Sequence, residues 1–259
     1  MRTALTIAGS DSSGRAGIQA DLRTFAAIGV RGMTAITAIT AQNANGVSAL
    51  VPLEADLVTA QIEAVAADKS DSRDDSGIHA TKIGMLANAA IAEAVAAAIE
   101  DLELPLVVLD PVLATSSGTR LLDADGVQVL LSELLPRTFV VTPNIPEAEA
   151  LSGKRITTTD DVREVARRLH EMGARNVIVK GGHRPGAEAV DVLDVLFDGK
   201  HFHEMRIARV ARARSVGGTG CSFASAVAAF LALGRPLPDA ASLAQRHVAA
   251  LIAAAQDVY

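Results

Sequence analysis

The sequence predicts an α/β fold: a doubly wound, mostly parallel sheet flanked by helices, with an antiparallel hairpin at one edge. Three observations carry this. Short unbroken apolar runs such as Leu106-Val107-Val108-Leu109 recur along the chain and suit strands covered on both faces. They alternate with helical periodicity, as in Ile18, Leu22, Phe25 and Ile28. Near the end, Asp198-Gly199 separates two apolar stretches, the signature of a tight hairpin.

Taken in order, residues 4–8 form a strand that breaks at Gly9, and the loop 9–17 leads into a helix over 17–28. A β-branched strand over 35–40 runs to Asn45-Gly46, a turn signal. A helix over 55–67 follows. Residues 68–76 carry mixed charges without periodicity and are expected to be a solvated surface loop, not a metal site. The alternation then becomes regular, with strand 80–83, helix 89–100, strand 106–109, a helix near 124–135 and strand 138–141. A helix over 160–172 takes Thr159 or Asp160 as its N-cap, since a short polar side chain there accepts from the first free amides. Strand 176–180, the hairpin of 190–197 with 200–205, and helices from Gly220 and from about Asp239 complete the chain. No internal repeat or linker divides it, so residues 1–259 are expected to form one domain.

The bulk properties narrow the function. With 49% hydrophobic residues the chain can build a sizeable core. A net charge of −6 opposes broad binding to nucleic acid or anionic membranes, so any anion has to be held by local features. Aromatics at 3% and the absence of Trp also oppose a stacking platform for single strands. One cysteine excludes an internal disulfide, and no apolar run reaches the roughly 18 residues of a membrane span. The reading is a cytoplasmic protein with a small ligand.

The chemistry gathers where strands end. In a parallel sheet those ends share one edge, so distant residues converge on one crevice. Val216-Gly217-Gly218-Thr219-Gly220-Cys221-Ser222 runs into a helix of small residues. Glycines there permit a close approach, and the free amides of the helix start suit an anion. Cys221 falls in the first turn, where the helix dipole favours a thiolate, as a base or nucleophile beside a phosphate. The loop 9–17 lacks both the G-x-x-x-x-G-K-[ST] and the G-x-G-x-x-G patterns, and is instead expected to grip a polar small molecule. Gln42 offers donors and an acceptor suited to a nitrogen heterocycle. Asn144 and Glu147 open a helix and, with Asp110, supply hard oxygens suited to Mg²⁺. Glu147 alone would only complement the helix dipole. Lys180 ends a strand before two glycines, in reach of a phosphate. Together these are the parts of a small-molecule phosphoryl transfer.

The chain resembles the hydroxymethylpyrimidine and phosphomethylpyrimidine kinases of thiamine biosynthesis, within the ribokinase-like superfamily. The resemblance runs through Ala8-Gly9-Ser10-Asp11-Ser12, Ala16-Gly17-Ile18-Gln19-Ala20-Asp21-Leu22, Thr40-Ala41-Gln42-Asn43, Lys82-Ile83-Gly84-Met85-Leu86, Leu109-Asp110-Pro111-Val112, Thr142-Pro143-Asn144 with Glu147, Val179-Lys180-Gly181-Gly182-His183 and Gly218-Thr219-Gly220-Cys221. It implies a pyrimidine held against Gly9, Ala16, Asp21, Gln42, Met85 and Val112. It likewise implies Mg²⁺ and ATP phosphates served by Asn144, Glu147 and Lys180, and an anion hole of Gly218, Thr219, Gly220 and Cys221. Cys221 takes the base position near the hydroxymethyl group, which requires a lowered pKa that the helix start would provide. A homodimer is also implied. The chain departs from the family pattern at Ser12-Ser13-Gly14-Arg15, at Ser215-Val216-Gly217 and over residues 112–118. These departures leave open whether the alcohol, its monophosphate or both are phosphorylated, and Arg15 hints at the monophosphate. Two alternatives remain: a pyridoxal-type vitamin kinase, and a pyrimidine-binding sensor without turnover.

Overall fold

A computed structural model describes residues 1–68, 77–115, 118–183, 191–210 and 217–255. The first half of the chain runs β1 (Thr3–Asp11), α1 (Gly17–Ile28), β2 (Arg31–Asn43), β3 (Gly46–Pro52), α2 (Ala55–Ala66), β4 (Ala80–Ile83) and α3 (Ala89–Asp101). The second half runs β5 (Val107–Leu109), α4 (Ala124–Val129), α5 (Leu135–Arg137), β6 (Val140–Val141), α6 (Ile145–Ser152), α7 (Thr159–Glu171), β7 (Val177–Val179), β8 (Asp191–Phe197), β9 (Phe202–Ala208), α8 (Thr219–Ala232) and α9 (Leu237–Ala254). Residues 69–76, Ser116, Ser117, Val190, Ser215 and Val216, which bear on the expectations above, lie outside the described residues.

The strands form one sheet in the order β3-β2-β1-β4-β5-β6-β7-β8-β9. From β2 to β7 every pairing is parallel. The chain leaves β1 for β2 on one side and returns to β4 on the other, so the strand order reverses beside β1 and opens a crevice at the carboxyl ends. Successive residues of each central strand enter different cores. Leu5, Ile7, Val107, Leu109, Val177 and Val179 pack under α2, α3, α6 and α7. Ala4, Val108, Val140 and Ile178 pack under α1, α8 and α9. That two-sided burial is why the strands read as unbroken apolar runs.

Three boundaries differ from the sequence reading. Both sheet edges are antiparallel, because β3 pairs with β2 as well as β9 with β8. Asn45-Gly46 is the turn of that extra hairpin, and its second strand is short, with exposed residues such as Val51. The N-cap of α7 is Thr158, one residue earlier than expected, because from there Asp161 closes a capping box in which each side chain meets the other's backbone amide. The helix expected near 124–135 is α4 and α5 joined by a π turn over Leu130–Leu134.

Candidate active site

The loop after β1 is built around Asp11. Its Oδ1 accepts the amide and hydroxyl of Ser13, and its Oδ2 accepts the amides of Arg15 and Ala16 at 3.0 and 2.8 Å. A carboxylate sunk among four donors locks the loop rather than binding a ligand. Ser12 fastens the loop to β2, giving its hydroxyl to the Gln42 carbonyl and accepting the Gln42 amide. The Gln42 side chain is half-buried at the strand end.

This loop lies directly on the start of α8. Gly218 is the N-cap with φ of 79°, and a Cβ there would stand 2.0 Å from the Arg15 carbonyl oxygen and 3.1 Å from the Ala16 Cα. Gly17, at φ of 58°, would carry a Cβ 2.3 Å from the Gly9 carbonyl oxygen. Only glycine tolerates both the left-handed backbone and the contact. The first helical bond of α8 runs from the Ser222 amide to the Gly218 carbonyl at 2.8 Å, so the amides of Thr219, Gly220 and Cys221 have no partner within the helix. Three free donors at the positive end of a helix make an oxyanion site.

Lys180, buried at the end of β7, approaches the same turn: its Nζ is 3.4 Å from where a Cβ on Gly220 would be. It donates to Asp110 Oδ1 at 2.9 Å. Asn144 sits beside Lys180 through an isolated bridge between the two strand ends. Asn144 and Glu147 form a capping box on α6, the Asn144 amide donating to Glu147 Oε2 at 2.8 Å and the Glu147 amide to Asn144 Oδ1 at 2.9 Å. Asn144 Oδ1 is thus committed to the cap. Asp110 Oδ2 and Glu147 Oε1 make no hydrogen bond among the described residues, and these spare oxygens lie near one cation. Burial pushes the Glu147 carboxyl up to about 7, opposed by Lys180 and reinforced by Asp110. Lys180 stays charged, because Asp110 and Glu147 outweigh the burial that would lower it.

A small apolar cluster closes the other side. Met85, Ala38 and Leu121 pack together with Val47, Leu50, Ala87 and Val112 around them. A Cβ on Gly9 would stand 2.2 Å from the Met85 methyl carbon, so Gly9 and Met85 share one wall. The sequence reading named Gly9, Met85 and Val112 but missed Val47 and Leu50, which the unexpected β3 brings in. Apolar runs on both sides of Asn45-Gly46 were the available signal.

Two sequence expectations need correction. Asp21 does not line the crevice. It is fully buried beneath it, with Oδ2 accepting Lys82 Nζ at 2.9 Å and Thr6 Oγ1 at 2.6 Å, and Oδ1 accepting Ser225 Oγ at 2.7 Å. Both its oxygens are engaged inside the protein, by three donors, and removing one partner of such a buried pair costs on the order of 3–5 kcal/mol. The Cys221 thiol is not lowered. The residue keeps partial access to the crevice, but burial by the surrounding atoms pushes the thiol up to about 12. Asp110 and Asp21 add to this, and Lys82 with the Gly17 amide pulls the other way. Desolvation of the thiolate is the largest of these influences.

The described residues contain no group of three or more His, Cys, Asp or Glu placed to hold a metal ion, and none of their helices is long and apolar enough to cross a membrane. A parallel sheet whose crevice joins a glycine-bounded helix start, a buried lysine and two carboxylates defines a small-molecule kinase of the ribokinase-like class. The sequence matches the family described as phosphomethylpyrimidine kinase over residues 11–258. It is 44% identical over 252 residues to the thiamine biosynthesis bifunctional protein ThiED of Geobacter sulfurreducens, covering 97% of this chain and 49%, about half, of that longer protein. It is 44% identical over 245 residues to the hydroxymethylpyrimidine/phosphomethylpyrimidine kinase of Bacillus subtilis, covering 95% of this chain and 87% of the relative. Among solved structures, the ADP complex of pyridoxal kinase from Bacillus subtilis superposes with a TM-score of 0.82 at 37% identity, covering 95% and 89% of the two chains. The chain belongs to the phosphomethylpyrimidine kinase family.

Proposed function

We propose that the protein transfers the terminal phosphoryl group of ATP to 4-amino-5-hydroxymethyl-2-methylpyrimidine, to its monophosphate, or to both in turn, giving the diphosphate used in thiamine biosynthesis. The observation that carries this reading is the meeting of Lys180 with the three free amides of α8 at one point. Phosphoryl transfer passes through a loose transition state with charge on the equatorial oxygens, so positioned donors do most of the work. The amides of Thr219, Gly220 and Cys221 receive that charge, and Lys180 neutralises the donor's phosphates. The acceptor oxygen forms the new P–O bond as the bond to the departing ADP breaks, and the hydroxyl proton passes to Cys221 in its thiolate form, which burial disfavours and the neighbouring Lys82 favours.

The spare oxygens of Asp110 and Glu147 fit Mg²⁺, which takes few protein ligands and keeps several waters. Asp110 and Glu147 would hold such an ion, which would supply charge neutralisation for the phosphates. Asn144 contributes by fixing Glu147 through the cap. The ring lies against Gly9, Ala16, Met85 and Val112, with Gln42 at its polar edge. Asp21 acts from below, through Lys82 and Ser225.

The test is ADP release with ATP and Mg²⁺, supplying the alcohol, the monophosphate and pyridoxal separately. Turnover on either pyrimidine is expected, and turnover on pyridoxal alone would overturn the reading in favour of the vitamin kinase that the pyridoxal kinase likeness supports. No turnover on any of the three leaves the sensor reading. Cys221→Ala is expected to lower kcat while leaving pyrimidine KM near the parent value; equal losses would mean that Cys221 only packs. The homodimer reading is tested by light scattering at assay concentration.

A further inference from the structure

Asp194 on β8 has no part in the mechanism as described, yet it is buried at 4% exposure and tied to the residue after Lys180. Its Oδ1 accepts the amide of Gly181 at 2.7 Å. Its Oδ2 accepts Gln245 Nε2 of α9 at 2.9 Å, and the same Nε2 donates to the Met205 carbonyl on β9 at 3.1 Å. Among the described residues its hydrogen bonds come only from amides, and a carboxylate so placed costs more to bury than an uncharged side chain of its shape. Packing alone does not call for it. Gly181 directly follows Lys180 in a turn pressed onto β8, where a Cβ on Gly181 would overlap the Leu193 carbonyl oxygen. The amide of Lys180 itself donates to the Pro143 carbonyl at 2.9 Å. Both peptide groups that flank the Lys180 α-carbon are therefore held, one by Pro143 after β6 and one by Asp194. Since peptide groups are planar, fixing the two sets the direction in which the lysine leaves the backbone. The ammonium stands at the end of a four-carbon stem, so a small turn of the backbone becomes a large displacement at Nζ.

We infer that Asp194 is a positioning residue for phosphoryl transfer: by holding the Gly181 amide it aims Lys180 at the free amides of α8, and Gln245 holds Asp194 in turn. β8, β9 and α9 thus fix the lysine, although none of them carries a residue placed in the crevice above. Asp194 touches no substrate and acts through Lys180. The inference rests on Lys180 serving the ATP phosphates.

Binding of a non-hydrolysable ATP analogue with Mg²⁺, read by calorimetry, needs no turnover, and steady-state ADP release supplies the kinetic arm. Asp194→Ala is expected to weaken the analogue about tenfold and to lower kcat/KM for ATP on the order of 10²-fold, with the pyrimidine KM near the parent value. Asp194→Asn keeps an oxygen for the Gly181 amide and is expected to recover most of both losses. Asp194→Ala combined with Lys180→Met is expected to bind the analogue no more weakly than Lys180→Met alone, because nothing is left to aim. A merely structural role would add the Asp194→Ala loss in full to that of Lys180→Met, or raise the pyrimidine KM as much as that of ATP, and either result overturns the inference. So does Asp194→Ala binding the analogue at parent affinity. Should Asp194→Ala fail to fold, Gln245→Met decides: analogue binding about fivefold weaker is expected, and parent affinity refutes the positioning argument. Lys180→Met binding the analogue as tightly as the parent would remove the reading of Lys180, and the inference with it, whereas a loss in Lys180→Met without one in Asp194→Ala sinks the inference alone, so the two failures are distinguishable.

Discussion

Gly218→Ala is the sharpest perturbation the site offers, because it separates backbone strain from displacement. An alanine at φ of 79° costs about 1–2 kcal/mol from the left-handed backbone alone. Its Cβ would also stand 2.0 Å from the Arg15 carbonyl oxygen, where real contacts need more than 3 Å. Backbone faces backbone there, so one loop has to move by about an ångström. A misplacement of that size in a reacting geometry costs on the order of 10²-fold. Gly29→Ala supplies the control: its φ is 86° and nothing lies within 4 Å of the added atom. Steady-state ADP release and thermal unfolding are measured on both. Gly29→Ala is expected to lose about 1–2 kcal/mol, a few degrees of Tm, with kcat at the parent value. Gly218→Ala is expected to show at least that Tm loss and a kcat lowered about 10²-fold. If both variants keep kcat within a few-fold of the parent, the free amides of α8 do not form the transition-state site.

The sheet, the helices and the edge on which polar residues collect were legible because each rests on local rules. Unbroken apolar runs mark doubly covered strands, and α1 begins and ends where Gly17 and Ile28 suggested. The second edge hairpin was not legible in full. Its turn was plain at Asn45-Gly46, but β3 is half exposed and carries no clean alternation. The position of Lys180 followed from strand-end logic, and its pairing with Asp110 across 70 positions did not. The two corrections share a cause. Asp21 and Cys221 were judged by their own motifs, one as a ligand contact and one as a thiol at a helix start. What decides Asp21 is its enclosure by β1, β4 and α8, and what decides Cys221 is burial with charges from Lys82, Asp110 and Asp21, all far away in sequence. Lys82 was overlooked for the same reason. A lysine inside an apolar strand segment reads as an exposed charge until Asp21 is known to lie opposite it.

Two further outcomes follow from the caps and carboxylates. Thr158→Ala removes one half of the α7 capping box, far from the crevice, and is expected to lower stability by about 1 kcal/mol in thermal unfolding while kcat stays at the parent value. A stability loss under a few tenths of that would mean the Asp161 side chain caps the helix alone. Glu147 gives a pH dependence whose sign is fixed by its environment. Its folded pKa is raised from 4.5 to about 7, chiefly by burial. Between those values the folded state binds more protons than the unfolded state, so stability is lost as pH rises from about 4.5 to about 7. With metal removed by chelator, the Tm of the parent is expected to fall across that window more steeply than that of Glu147→Gln, which has no charge to bury. Adding Mg²⁺ above pH 7 is expected to recover Tm in the parent and not in the variant, because the ion stabilises the form that burial penalises. Parallel Tm curves for the two proteins would show that Lys180 already neutralises Glu147, and an equal gain with Mg²⁺ would place the ion elsewhere.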